Sequence, residues 1–150
     1  MTDLQLIAND IRSRENVGSL FRTCDSLGVR KLWLTGYTPA PPDPKISKVA
    51  LGAETAVVFE KYSDVMIVIT ALKKEQIPVF ALELSADAIE LSQFNPPSRM
   101  ALLLGTETTG IPPSLLSHCD GAIKITQKGI KESMNVSVAA GIAAWAILSH

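Results

Sequence analysis

The side chains that could do chemistry fall in a few short stretches. RSRENVGSLFRTCDSLGV, residues 12–29, carries Arg12, Arg14 and Arg22 with Asn16 and Gly18 between them. Arginines so grouped can make a phosphate-binding patch. The turn GTETTG, Gly105–Gly110, follows the aliphatic run Ala101–Leu104 and has a carboxylate, Glu107, inside it. It is neither the GxGxxG of a dinucleotide site nor the GK[ST] ending of a P-loop, and without a lysine it is a poor phosphate cradle. IKITQKGIKESMN, residues 123–135, brings Lys128, Lys131, Ser133 and Asn135 to one loop. Each stretch also has a plain reading. Arg22 on an amphipathic helix is ordinarily solvated. GTETTG is ordinarily a capping turn, with Thr109 or Ser114 satisfying backbone N–H groups, and Ser133 and Asn135 are ordinary helix caps.

Those groups need elements to hold them. Leu4–Ala8 reads as a strand, and Val17, Leu20, Phe21, Cys24 and Leu27 make one apolar face of a helix over 16–28, capped by Asn16 and ended by Gly28. Lys31–Thr35 is a strand and Tyr37–Lys45 a proline-rich loop. A short helix at Ile46–Leu51, a strand at Ala56–Glu60 and a helix from a Ser63 cap to about Gln76 follow, with Val65, Ile69 and Leu72 inward. Pro78–Leu84 and Met100–Leu104 are buried strands, with a loop or short helix at 86–98 between them. Pro112, Pro113 and Ser114 open a short helix. Ala122–Thr126 is the last strand and Met134–Leu148 the last helix, with Met134, Val136, Val138 and Ile142 expected in the core. Strands alternating with helices predict an α/β class with a mostly parallel sheet and helices on both faces. In such sheets ligands bind at the carboxyl ends of the strands, where the polar turns above are expected.

Composition narrows the function classes. A chain of 150 residues, 47% hydrophobic, is expected to form one compact domain over 1–150. A net charge of −1 announces no nucleic-acid partner, although a local basic patch is compatible with it. Cys24 and Cys119 lack metal-like spacing and read as thiols of a reducing compartment. No metal site is expected. The N-terminus has no signal-peptide pattern, and the last helix is too short to span a bilayer, so a cytoplasmic location is expected.

Taken together, in this order and spacing, the stretches resemble the signature motifs of the SpoU/TrmH-type RNA ribose 2′-O-methyltransferases of the SPOUT superfamily. The resemblance runs from about Leu6 to Leu148. Asn16, Gly18 and Arg22 match the first motif. Gly105, Glu107 and Gly110, followed by Ile111 and Pro112, match the second; Ile125, Ser133 and Asn135 match the third. Thr126 and Gln127 stand where the family usually has proline and methionine.

The resemblance implies a C-terminal deep trefoil knot that binds S-adenosylmethionine, and methyl transfer to a ribose 2′-hydroxyl of tRNA or rRNA. It implies catalytic roles for Arg22, Asn16, Ser133 and Asn135, and cofactor contacts from Leu82, Gly105, Thr106, Glu107, Gly110, Ile125 and Met134. Glu107 is tolerable beside a sulfonium cation, or it holds the loops through backbone N–H groups. Arginine is too weak an acid to serve as a general base, so Arg22 is expected to hold phosphate and stabilise the alkoxide. Arg12, Arg14, Arg22, Lys128 and Lys131, with Lys45 and Lys48 in reserve, are the expected RNA contacts. The resemblance also implies a homodimer through the first-motif and C-terminal helices, and a minimal catalytic core without a separate RNA-binding domain. The alternatives are a catalytically inactive knotted RNA-binding module and, more distantly, a small-molecule enzyme with a nucleotide cofactor.

Overall fold

The computed structural model describes residues 1–106, 108–131 and 133–150. Its centre is a sheet of seven strands, all parallel, in the order β3-β2-β1-β6-β4-β7-β5. The strands are β1 (Asp3–Asn9), β2 (Lys31–Thr35), β3 (Phe59–Tyr62), β4 (Val79–Leu82), β5 (Ile89–Glu90), β6 (Arg99–Leu104) and β7 (Gly121–Lys124). The helices are α1 (Arg14–Leu27), α2 (Pro44–Ala50), α3 (Ala53–Ala56), α4 (Val65–Lys74), α5 (Pro113–Leu116) and α6 (Val136–Leu148), with one 3₁₀ turn at Leu91–Gln93.

Period-two alternation sorts the strand residues into two cores. Leu4, Leu6 and Ala8 of β1, with Met100, Leu102 and Leu104 of β6, pack against Leu20 and Phe21 of α1, Ile46 of α2 and Ala143 and Ile147 of α6. The intervening Ile7, Ala101 and Leu103 pack against Val65, Val68, Ile69 and Leu72 of α4 and Leu115 of α5. Helices therefore cover both faces. That is why β6 reads as an uninterrupted aliphatic run rather than an alternating one. β1 pairs with β6 from Asp3–Arg99 to Ala8–Leu104, and the two run through the middle of the sheet.

Several sequence expectations change. The cap of α1 is Ser13, whose hydroxyl accepts from the Asn16 N–H (3.1 Å), so Asn16 lies inside the helix. Gly28 ends α1 in the left-handed conformation, as expected (φ 74°). Ala56 closes α3 rather than opening a strand, and β3 begins only at Phe59. Asp64, not Ser63, caps α4, because it is the Asp64 carboxylate that accepts from the Met66 N–H, at 2.9 Å. Val138 and Ile142 are not core: they are 51% and 41% exposed, and the buried face of α6 is Ala140, Ala143, Ala144 and Ile147. Small alanines allow α6 to lie close on its neighbours, leaving the larger residues outside.

α1 and α2 also pack closely. A Cβ at Gly18 would stand 2.8 Å from the Ile46 carbonyl oxygen and 2.8 Å from Val49 Cβ. Gly18 is thus a helix-packing residue: only a residue without Cβ lets α2 lie this close.

Candidate active site

Because all strands are parallel, their carboxyl ends share one edge. There the ends of β4, β6 and β7 open a cleft of about 310 Å³. Its lining brings together Leu82, Gly105, Thr106, Gly110, Ile125, Ser133 and Met134, all singled out from sequence. Leu104, Val136 and Ala139 add aliphatic surface; Glu83, Lys124 and Gln127 add polar groups. Glu107 lies outside the described residues.

The turn after β6 is closed on itself. Thr106 and Gly110 exchange backbone hydrogen bonds (3.3 and 3.2 Å), and the Thr109 N–H donates to Thr106 Oγ1 (3.0 Å). Thr106, rather than Thr109 or Ser114, is therefore the side chain that caps the turn. Gly110 has φ +70°, and a Cβ there would lie 2.5 Å from Glu83 Oε2. That carboxylate oxygen accepts from the Ile111 N–H at 2.7 Å. Glu83 thus ties the end of β4 to the turn after β6. Sequence reasoning passed over it; the available signal was a lone carboxylate inside the expected buried strand PVFALEL.

The loop from β7 to α6 forms the opposite wall. Thr126 donates through both its N–H (3.0 Å) and its hydroxyl to the Glu90 carboxylate at the end of β5. These bonds hold the Glu90 carboxyl below the usual carboxylate range. Gln127, with its amide oriented so that both ends are satisfied, donates to the Lys131 carbonyl (3.3 Å) and accepts from the Met134 N–H (3.1 Å). The two residues that depart from the usual third motif are therefore anchors of this wall. β7 ends at Lys124, so Ile125 lines the cleft from the loop, not from the strand.

Asn135 joins the site to its scaffold. Its Oδ1 accepts from the N–H groups of Ser137 (2.9 Å) and Val138 (3.2 Å), capping α6. Its Nδ2 donates to Asn16 Oδ1 (3.2 Å), linking α6 to α1. The first and third stretches thus meet at an amide pair beside the cleft. Ser133 is exposed and lines the cleft.

Arg22 is not brought to this cleft within one chain. It lies in a second groove with Ser19, Thr23, Ser26, Leu27, Val49, Gly141 and Trp145. The basic residues separate as well. Arg12 stands over the Tyr37 ring, 5.5 Å from its centroid. Arg14 Nε pairs with Asp43 Oδ2 at 2.9 Å, while Lys128 and Lys131 are exposed on the β7–α6 loop. Lys45 and Lys48 are exposed on α2.

Burial pushes the Cys24 thiol up to about 12 and the Cys119 thiol up to about 11, so neither is a thiolate nucleophile at neutral pH. Among the described residues no group of three or more His, Cys, Asp or Glu side chains could hold a metal ion, and no helix is long and apolar enough to cross a membrane.

The sequence matches the model of the SpoU rRNA Methylase family over residues 3–145. It is 31% identical over 144 residues to the tRNA (guanosine(18)-2′-O)-methyltransferase of Mus musculus, covering 95% of this chain but 9% of that one. It is 30% identical over 140 residues to the tRNA (guanosine(18)-2′-O)-methyltransferase of Thermus thermophilus, covering 93% of this chain and 71% of that one. The fold superimposes with a TM-score of 0.92 on the AdoMet-bound rRNA methyltransferase from Sinorhizobium meliloti, at 23% identity, over 99% of this chain and 56% of that one. The chain therefore spans only part of each of these relatives.

Proposed function

This chain belongs to the SpoU rRNA Methylase family, and on that footing we propose that it transfers a methyl group from S-adenosylmethionine to a ribose 2′-hydroxyl of tRNA or rRNA. The observation that carries the reading is the cleft itself: motif residues far apart in sequence line one pocket, with the Asn16–Asn135 pair beside it.

The cleft suits the cofactor. Its volume falls in the usual small-ligand range, and aliphatic walls with a few polar groups suit an adenine. Glu83 and Lys124 contribute one negative and one positive charge, which complement the ammonium and the carboxylate of a zwitterionic amino-acid moiety. Leu82, Ile125 and Met134 would hold the ring; Gly105, Thr106 and Gly110 would form the neighbouring wall. Bound there, S-adenosylmethionine supplies a methyl group on a positively charged sulfur, open to in-line attack by oxygen.

The protein's part is orientation and charge. Ser133 at the cleft would position the ribose, and the Asn16–Asn135 pair would fix the helix ends that frame it. Arg22 would bind the substrate phosphate and stabilise the developing alkoxide, while a phosphate oxygen or water takes the proton.

The reading includes a homodimer. What supports it is α6: Val138, Ile142 and Trp145 form an exposed apolar stripe, with Trp145 63% exposed beside Arg22 in the second groove. A second copy on α1 and α6 would cover that stripe, and Arg22 would then serve the partner's cleft. The reading also includes a trefoil knot through the C-terminal loops and a cytoplasmic location.

The test is incorporation of labelled methyl groups into total RNA, with the modified ribose mapped. Stabilisation by NAD or ATP, but not by S-adenosylmethionine, would overturn the reading. Arg22→Lys should lower kcat by about 10²–10³-fold with cofactor affinity unchanged. Nearly full turnover would exclude a geometry-dependent arginine.

A further inference from the structure

Tyr37 combines two properties that rarely occur together. The residue is 55% exposed, yet the backbone around it is tied down on both sides. The Tyr37 N–H donates to Asp10 Oδ1 (3.1 Å). Lys61 reaches across from β3 and donates to the carbonyls of both neighbours, Gly36 (2.7 Å) and Thr38. Thr38 is fully buried; its hydroxyl donates to the Ala8 carbonyl (2.9 Å) and accepts from the Ile11 N–H (2.9 Å). Asp10 itself adopts a positive φ of 56°, a conformation costly for a residue with a side chain. A Cβ at Gly36 would fall 1.8 Å from Asp10 Oδ1, so the two are interlocked.

A loop held this firmly, with a strained residue at its base, presents its aromatic ring at a fixed place. A ring placed for packing would be covered. This one carries the Arg12 guanidinium 5.5 Å from its centroid. Tyr37 follows β2, and β2 is two strands from β6 along the sheet. At the usual strand spacing of about 4.8 Å, the ends of β2 and β6 lie on the order of 10 Å apart, so the Tyr37 loop shares the carboxyl edge on which the cleft opens.

We propose that Tyr37, with Arg12, is a stacking platform for a base next to the ribose that is methylated. The inference rests on RNA being the substrate. Every base offers a π face, and arginine adds charge for the adjoining phosphate, so the platform orients the strand without reading its sequence. Within the proline-rich loop, this gives substrate binding a specific residue, Tyr37.

The test uses the full chain and a fluorescent single-stranded RNA oligonucleotide, followed by anisotropy at several salt concentrations. Tyr37→Leu, which keeps apolar bulk, should weaken RNA binding by at least about fivefold, the low end for loss of one base–aromatic stack. Tyr37→Phe should stay within about twofold, because stacking does not need the hydroxyl. Arg12→Ala should weaken binding and reduce the salt slope by about one, whereas Tyr37→Leu leaves the slope unchanged. Stabilisation by S-adenosylmethionine should be the same in all variants. Tyr37→Leu binding like the parent, with the parent binding RNA, overturns the platform alone. A parent that neither binds nor methylates RNA overturns the proposed function and the platform with it.

Discussion

At the scale of single residues, the clearest division is between groups that face the cleft and groups that hold its walls. Glu83 does both: it lines the cleft and ties two of its walls together. Its carboxylate satisfies the N–H of buried Ile111 and fills the space that Gly110 leaves. Glu83→Ala should therefore destabilise the fold by about 1–3 kcal/mol, the usual cost of an unpaired buried donor. Thermal melts should show Glu83→Gln, which keeps an acceptor, losing less. Among the residues nominated from sequence, Asn135 was the most legible because its type limits what it can do at a helix start. Asn135 is a cap by chemistry and is a cap in the structure, with the added bond to Asn16. Glu83 escaped notice because a carboxylate near the end of a strand is an unremarkable type. Only the three-dimensional approach of the β6 turn reveals its partner.

At the scale of elements, the β7–α6 loop and the α1–α2 pair show what pattern reading can and cannot do. Helical periodicity located α1 to within two residues, since Leu20, Phe21 and Cys24 must share a face. It misjudged α6, where apolar residues occur on every side and periodicity carries no direction. Nor could it reach the Glu90–Thr126 clasp, which joins the end of β5 to the β7–α6 loop. Thr126→Val removes one donor of that clasp and should weaken S-adenosylmethionine binding by about two- to tenfold, as expected for one hydrogen bond. Calorimetric titration measures it, and an unchanged Kd would make the clasp irrelevant to the cleft. For α1 and α2, Gly18→Ala forces a methyl group into backbone only 2.8 Å away. A loss of about 1–3 kcal/mol is expected, as for other overpacked contacts, measurable by denaturant unfolding.

At the scale of the whole molecule, the separation of Arg22 from the cleft makes assembly the decisive question. Trp145→Glu puts a charge into the exposed stripe of α6. It should yield monomers in sedimentation that still bind cofactor but lose methyl transfer. Arg22→Ala and Ser133→Ala chains, each inactive alone, should regain activity when mixed, because one mixed pair holds an intact Arg22 and an intact Ser133 for the same site. Absence of recovery would argue that Arg22 serves its own chain. The strand order has a further consequence, and it concerns time. Leu6 at the centre of the sheet pairs with Leu102, and β7 slots between β4 and β5. Local contacts can nucleate β1, α1 and β2, but the middle of the sheet closes only when distant segments meet. Such long-range pairing slows refolding, toward the millisecond-to-second range for small domains dominated by it. In that interval the aliphatic strands β1 and β6 each lack the other and are open to aggregation.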